Sequence, residues 1–181
     1  MGPLEGVRVA DFSQLIGGPG AASLLASLGA EVVKIEAPSG DPSRGLKSAA
    51  YGDARISAAY LAYNRGKRNI ALDLKQPAGV EVARRIIARS DVVIESFRPG
   101  VMDRLGLGAE TVMAEQPDLV YASISAFGFG ESPSPQITVT SVPGSLYAGS
   151  MRHRETIDRI SHWYARECEV PINAPSARTA S

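Results

Sequence analysis

Residues 7–36, with the sequence VRVADFSQLIGGPGAASLLASLGAEVVKIE, contain two short apolar runs separated by a segment of small and aliphatic residues. The runs at 7–12 and 31–36 are rich in β-branched residues and predict strands, whereas residues 21–28 favour a helix that ends at Gly29. Two strands joined by a helix normally pair in parallel. The segment therefore predicts an α/β protein with a mostly parallel sheet.

The alternation of strands and helices continues along the chain. A stretch rich in Gly and Pro, residues 38–56, predicts a long surface loop. The apolar periodicity beyond it predicts strands at 70–73, 92–94 and 119–124, and helices at 77–89, 100–105 and 109–115. We therefore expect a Rossmann-like, mostly parallel sheet with flanking helices.

The composition changes after Gly130. Residues 131–181 have no sustained hydrophobic period, apart from one possible amphipathic helix at 151–167. We therefore expect residues 1–130 to form one Rossmann-like domain and residues 131–181 to form an unrelated C-terminal stretch.

Charge and cysteine content exclude several classes of function. The sequence has 19 Lys and Arg and 19 Asp and Glu residues, and this neutrality argues against nucleic acid as a partner. Cys168 is the only cysteine, and His153 and His162 are the only histidines, so we expect neither a disulfide nor a metal site. The sequence shows no apolar run long enough for a membrane helix and no signal peptide, which predicts a cytoplasmic protein.

A glycine-rich loop, Gly17–Gly20, follows the first predicted strand and suggests a dinucleotide site. Glu36 ends the second strand, where a ribose-binding acid would lie in such a site. Ser23, however, occupies the third glycine position of the GxGxxG pattern, and Pro19 stiffens the loop. A plain turn from strand to helix is the alternative interpretation.

Four blocks of sequence stand out along the chain. They are PLEGVRVADF (3–12), LGAEVVKIE (28–36), NRGKRNIALDLK (64–75) and DVVIESFRPG (91–100). Together, and in their order and spacing, they resemble the family III CoA-transferases, also called the CaiB/BaiF family, which includes formyl-CoA transferase and α-methylacyl-CoA racemase. The resemblance covers residues 3 to about 130.

The resemblance implies the N-terminal part of the family's Rossmann-like fold, with coenzyme A or acyl-CoA as substrate and no covalently bound cofactor. It places the CoA contacts at Leu15, Ile16, Gly17, Leu72, Asp73, Leu74, Lys75, Ser96, Phe97, Arg98 and Arg104. The phosphates of CoA need Arg or Lys, and its adenine and pantetheine arm need apolar walls. The alternatives are that Lys75 and Arg104 are solvated charges, that Phe97 is core and that Leu72 ends a strand.

Three cations occur within four positions at Arg65, Lys67 and Arg68. A solvated turn and a CoA phosphate site are both consistent with this cluster.

The resemblance implies that acyl transfer needs an aspartate nucleophile beyond the last predicted strand, whereas the racemases use a His and an Asp there. The sequence has no Asp between Asp118 and Asp158, and Asp158 itself lies on the predicted surface helix near Arg154 and His162. We therefore assign no catalytic residue. We expect a CoA-transferase that is truncated or frameshifted; a silent CoA-binding or dimerising module and a racemase are the alternatives.

The family resemblance also implies partners. They are acyl-CoA and carboxylate small molecules, and a second copy of the chain in an interlocked homodimer. We expect residues 131–181 to be too short to supply the C-terminal half that such a dimer needs.

Overall fold

The computed structural model describes residues 2–46 and 56–125, and the backbone of residues 136–140. One sheet contains six strands, β1 (Arg8–Asp11), β2 (Glu31–Glu36), β3 (Arg68–Ala71), β4 (Val92–Glu95), β5 (Val120–Ser125) and β6 (Gln136–Thr140). Their order is β3-β2-β1-β4-β5-β6; the first five strands of the chain pair in parallel, and β6 pairs antiparallel with β5. The predicted Rossmann-like α/β fold is confirmed.

Five helices connect these strands: α1 (Gly17–Ser27), α2 (Ala58–Asn64), α3 (Pro77–Ile87), α4 (Val101–Arg104) and α5 (Ala109–Glu115). Helix α3 begins at Pro77, as predicted, because proline fits the first turn of a helix, where its missing N–H is not needed. Glu81 and Arg85 form an exposed i,i+4 ion pair on α3, with 3.0 Å between Oε1 and Nε. Within the described part of the chain, no helix is long and apolar enough to span a membrane.

The hydrophobic core lies where the central strands meet α3 and α5. Strand β4 is buried along its whole length, as expected for a parallel strand covered by helices. Phe12, Val93 and Leu107 are fully buried in this cluster. Tyr121 is buried beside them, and its hydroxyl donates a hydrogen bond of 3.1 Å to the Leu107 carbonyl, which satisfies its polar end.

The prediction of a glycine-rich loop at residues 17–20 is wrong, because helix α1 already begins at Gly17. Pro19 is tolerated in the first helical turn, where its N–H has no intrahelical partner. Gly18 lies so close to Ser13 that a Cβ at position 18 would be 2.2 Å from the Ser13 Cβ. The glycine therefore allows the helix to pack against the turn after β1, which is the reason that α1 starts earlier than the aliphatic run.

Three further elements differ from the prediction. Strand β3 begins two residues earlier than predicted because it is an edge strand whose mostly exposed side chains give no clear apolar signal. Helix α2 was not predicted; Ser57 caps it by accepting the Tyr60 N–H at 3.0 Å. Strand β6 lies beyond residue 124, where the last strand was predicted to end.

The predicted loop at 38–56 contains a short 3-10 turn at Pro42–Gly45. Residues 47–55 of that loop and the predicted helix at 151–167 lie outside the described residues.

Candidate functional site

The strand order of the sheet reverses between β1 and β4, since β2 and β3 lie on one side of β1 and β4 lies on the other. Open α/β sheets bind ligands in the crevice that forms at such a reversal, beside the carboxyl ends of the strands. Among the turns that begin at this edge are residues 12–16 after β1, 72–75 after β3 and 96–98 after β4. The predicted CoA contacts come from these turns and from the starts or ends of α1 and α4.

The turn after β1 presents two apolar side chains to solvent. Leu15 is 46% exposed and Ile16 is 50% exposed, which is unusual for large aliphatic residues. Gly17 is exposed as the first residue of α1, and among the described residues a Cβ there would meet the Ile124 side chain alone, at 3.9 Å. In this part of the structure, the end of the turn therefore presents an apolar surface.

The backbone of the same turn is held by side chains. The amide of Ser13 donates to Asp11 Oδ1 at 3.0 Å, and the amide of Gln14 donates to Ser96 Oγ at 2.8 Å. Ser96, a predicted CoA contact, thus connects the turn after β4 to the turn after β1. Its hydroxyl hydrogen remains a possible donor to a ligand.

The turn after β3 combines two leucines that face the core with one exposed cation. Leu72 and Leu74 are partly buried and pack against the hydrophobic core. The Leu72 amide donates to the Glu36 carbonyl at 2.8 Å, so this residue also extends the strand pairing. Asp73 Oδ1 accepts the Lys75 amide at 3.0 Å, which shapes the turn, and Lys75 is exposed.

The turn after β4 also combines an apolar residue that faces the core with an exposed cation. Phe97 is partly buried against the core, and its amide donates to Glu95 Oε2 at 2.8 Å. Arg98 follows it and is exposed, as is Arg104 at the end of α4. Within residues 2–46 and 56–125, neither of these guanidinium groups nor the Lys75 ammonium pairs with a carboxylate.

A cleft of about 400 Å³ opens beside the carboxyl ends of β4 and β5, between α4 and α5. This volume lies within the usual range for small-molecule sites, roughly 300–1,000 Å³. Burial raises the pKa of Glu95, whose carboxylate lies at the end of β4. The lining residues are Glu95, Arg98, Pro99, Gly100, Met102, Asp103, Gly108, Ala109, Glu110, Tyr121 and Ser123.

Lys67 belongs to a buried ion pair, and both predicted interpretations of it, a solvated turn and a phosphate site, are wrong. Its side chain is 1% exposed, and Nζ lies 2.8 Å from Asp11 Oδ2. The ammonium also donates to the Pro19 carbonyl at 2.8 Å and to Asn64 Oδ1 at 3.0 Å. Burial lowers the pKa of Lys67, although the Asp11 carboxylate opposes this shift.

Glu36, at the end of β2, is buried and its carboxylate accepts several hydrogen bonds. Arg44 donates to both oxygens, at 2.7 and 3.0 Å, and the hydroxyl of Tyr60 donates at 2.6 Å. Asn69 donates to it as well. Burial alone would raise the pKa of Glu36, but the hydrogen bonds from Arg44 and Tyr60 outweigh it, and the pKa is lowered. A carboxylate occupied in this way is not placed to bind a ribose, which argues against a dinucleotide site.

These buried charges were not predicted from the sequence. The position of Lys34 in the sequence nevertheless indicates that such charges exist. Lys34 lies inside β2, a parallel strand that is buried for most of its length. A lysine there requires a carboxylate partner. The partner is Asp41, with Oδ2 2.9 Å from the Lys34 Nζ. Burial alone would raise the pKa of Asp41, but hydrogen bonds from Ser43 and Lys34 lower it.

The described residues contain no cluster of three His, Cys, Asp or Glu side chains that could hold a metal ion. This edge of the sheet carries exposed cations and apolar side chains, the kinds of group to which organic anions bind.

A parallel sheet of this order, with its ligand-facing turns at the strand reversal, defines the Rossmann-like class of α/β proteins. Within that class, the chain belongs to CoA-transferase family III, whose family model matches residues 4–156. The match extends beyond residue 130, and the boundary between two domains at that residue stays a prediction.

Individual relatives agree with the family. The chain is 38% identical over 146 residues to a protein named "Probable fatty acyl-CoA transferase" from Mycobacterium tuberculosis, a match that covers 78% of this chain and 37% of the relative. It is 43% identical over 149 residues to the formyl-CoA:oxalate CoA-transferase of Streptomyces coelicolor, covering 82% of this chain and 35% of the relative.

A solved structure of a CaiB/BaiF family protein from Brucella suis is similar at a TM-score of 0.69 and 37% identity, covering 74% of this chain and 37% of that one. The chain thus spans little more than a third of the length of these relatives.

Proposed function

We propose that this chain binds coenzyme A and acyl-CoA thioesters at the carboxyl edge of its sheet. The observation that carries the proposal is the meeting of exposed cations with apolar side chains at one edge of the sheet. Lys75, Arg98 and Arg104 are suited to the phosphates of CoA, and Leu15 and Ile16 are suited to its apolar arm. The remaining predicted contacts are Gly17, Leu72, Asp73, Leu74, Ser96 and Phe97.

We further propose that the reaction served by this site is the transfer of CoA from an acyl-CoA to a carboxylic acid. Membership of CoA-transferase family III supports this proposal. In such a transfer a carboxylate attacks the thioester carbonyl, the C–S bond breaks, and a mixed anhydride forms while CoA leaves as a thiolate. The thiolate then attacks the other carbonyl of the anhydride, the C–O bond there breaks, and the original acid leaves as a carboxylate. No residue of this chain is assigned as the nucleophile.

The transferase proposal includes the hypothesis that the gene is truncated or frameshifted. The absence of Asp from residues 119–157 motivates it. Resequencing the locus and translating all frames tests it, and a locus in which no frame encodes a further aspartate-containing segment of the family would contradict it.

Calorimetric titration of the chain with CoA, acetyl-CoA and NADH tests the binding proposal. We expect both CoA compounds to bind and NADH not to bind. Absence of CoA binding would overturn the proposal, and binding of NADH alone would favour a dinucleotide site.

A transferase assay with labelled acyl-CoA and a panel of carboxylic acids separates the remaining functions. Turnover by the chain would support a complete transferase, whereas binding without turnover would support a silent CoA-binding module. Exchange of the α-proton of a methylacyl-CoA in D₂O, followed by NMR, would instead indicate the racemase branch.

A homodimer and a cytoplasmic location are further proposals. Light scattering during size-exclusion chromatography tests the first: a mass twice that of the chain would support the homodimer that the family implies, whereas a larger, heterogeneous mass would support the expectation that residues 131–181 are too short for an interlocked dimer. Fractionation of cells that express the tagged protein tests the second.

A further inference from the structure

The turn after β1 contains a leucine in a backbone conformation that leucine rarely adopts. Leu15 has φ of +66°, in the left-handed region, and among the described residues it is the non-glycine residue with positive φ. A side chain with a Cβ stays in this region only where its surroundings hold it there. The contacts of the turn therefore identify what holds Leu15.

Both members of a buried ion pair form hydrogen bonds with this turn. Lys34 Nζ donates to the Ser13 carbonyl at 2.8 Å, and Asp41 Oδ1 accepts the Leu15 amide in a long bond of 3.4 Å. The two charged groups also face each other, with 2.9 Å between Lys34 Nζ and Asp41 Oδ2. Their side chains are 1% and 0% exposed, so water does not compete for these contacts.

Asp41 is itself fixed in place. Ser43 donates to Oδ1 through its amide at 2.8 Å and through its hydroxyl at 2.6 Å. The Asp41 amide donates to Glu36 Oε2 at 2.9 Å. The carboxylate is therefore set at one position before any ligand arrives, which is the condition for preorganising a site.

We propose that Asp41, paired with Lys34, is a positioning residue that holds Leu15 in the left-handed conformation. It thereby keeps the side chains of Leu15 and Ile16 exposed at the carboxyl edge of the sheet. The consequence for CoA rests on the proposed function, whereas the effect on the turn does not. Asp41 acts through the turn and is not itself a ligand contact.

Asp41→Asn tests the proposal, because it keeps the shape of the side chain and removes the charge that faces Lys34. We expect the amides of residues 13–16 to exchange with D₂O at least about tenfold faster, and CoA to bind about tenfold more weakly, the effect of losing one hydrogen bond to a charged group. Asp91→Asn is the control: its carboxylate accepts the Arg8 amide at 2.8 Å at the opposite edge of the sheet. It should change neither quantity.

Testing Asp41→Asn in a second protein, one that carries Leu15→Gly, separates a positioning role of Asp41 from a general loss of stability. Glycine adopts the left-handed conformation without being held there, so Asp41→Asn should weaken CoA binding far less in a Leu15→Gly protein than in the wild type. An equal loss in both backgrounds, or unchanged exchange at residues 13–16, would overturn the positioning role. Faster exchange in a chain that does not bind CoA would instead refute the proposed function and leave the positioning role standing.

Should Asp41→Asn fail to fold, Ser43→Ala replaces it as the test. This change removes one donor to the Asp41 carboxylate and should produce a smaller increase in exchange in the same turn. No increase there would count against the proposal.

Discussion

Lys67 illustrates how a charged residue beside a candidate ligand site can be structural. It comes from a basic segment of the sequence, yet its ammonium is enclosed by Asp11, Asn64 and the Pro19 carbonyl. A buried charge is costly to leave without its partner, because neither water nor another group replaces the lost interaction. The residue therefore couples the end of β1 to the segment that precedes β3.

Replacing Lys67 by methionine should destabilise the protein by about 3–5 kcal/mol, because Asp11 is then left buried and unpaired. Removing both charges, in Asp11→Asn with Lys67→Met, should restore much of that loss. Urea denaturation measures both free energies of unfolding. Arg85→Met, in the exposed pair with Glu81, is the control and should cost less than about 0.5 kcal/mol. Equal losses for the single and the double variant would contradict this account.

Glu95 should make the stability depend on pH in a defined direction. Burial raises its pKa above the ordinary value of 4.5, so ionisation of Glu95 opposes folding as the pH rises. Glu95→Gln keeps an acceptor for the Phe97 amide and removes this ionisation. The variant should therefore be more stable than the wild type at pH 7, and the difference should shrink as the pH falls through the raised pKa of Glu95 towards 4.5, the ordinary pKa that the carboxyl has in the unfolded chain.

Denaturation of the Glu95→Gln variant across this pH range measures the effect. Glu81→Gln, at an exposed position, provides the baseline. A stability difference that grows on acidification would show that the sign is wrong.

At the scale of elements, the packing of α1 against the turn after β1 depends on one of two adjacent glycines. A Cβ at position 18 would be 2.2 Å from the Ser13 Cβ, whereas a Cβ at position 17 would have its nearest neighbour, a carbon of Ile124, at 3.9 Å. Gly18→Ala should therefore cost about 1–3 kcal/mol, the usual cost of overpacking, while Gly17→Ala should be close to neutral. Thermal unfolding of the two variants compares them directly. Similar melting temperatures would argue against close packing at position 18.

The elements that the sequence predicted are those whose signal is local. Strands β1, β2, β4 and β5 have apolar β-branched runs, and Pro77 marks the start of α3. Edge strand β3 and helix α2 were placed poorly or missed because exposed side chains give no period. The candidate contacts came from the family resemblance, and most of them lie in turns at the carboxyl ends of the strands.

The ionic contacts could not be predicted in the same way. Lys34 meets Asp41 across an intervening turn, and Lys67 meets Asp11 from far along the chain, so neither pair leaves a pattern of spacing in the sequence. Only the topology of the sheet brings these residues together. A lysine inside a buried strand nevertheless predicts a partner carboxylate.

On the scale of the whole molecule, a net charge of zero conceals an uneven distribution of charge. Lys34 and Lys67 are cancelled by buried carboxylates, whereas Lys75, Arg98 and Arg104 are exposed cations of the turns and helix at the carboxyl edge. These three cations should attract the phosphates of a ligand locally, although Glu95, Asp103 and Glu110 line the neighbouring cleft and the protein as a whole is neutral.

CoA binding should consequently weaken as the salt concentration rises, because the Debye length falls from about 10 Å at 0.1 M to about 3 Å at 1 M and exposed charges are screened. Arg104→Gln should weaken CoA binding about tenfold, the effect of one charge-assisted hydrogen bond, and should also reduce the salt dependence. Titration calorimetry at several salt concentrations measures both effects. Arg85→Gln removes an equal charge from the outer side of α3 and should leave CoA affinity nearly unchanged. If the two variants bind CoA equally well, the charge at Arg104 has no specific role, and the cationic edge is not where the phosphates of CoA bind.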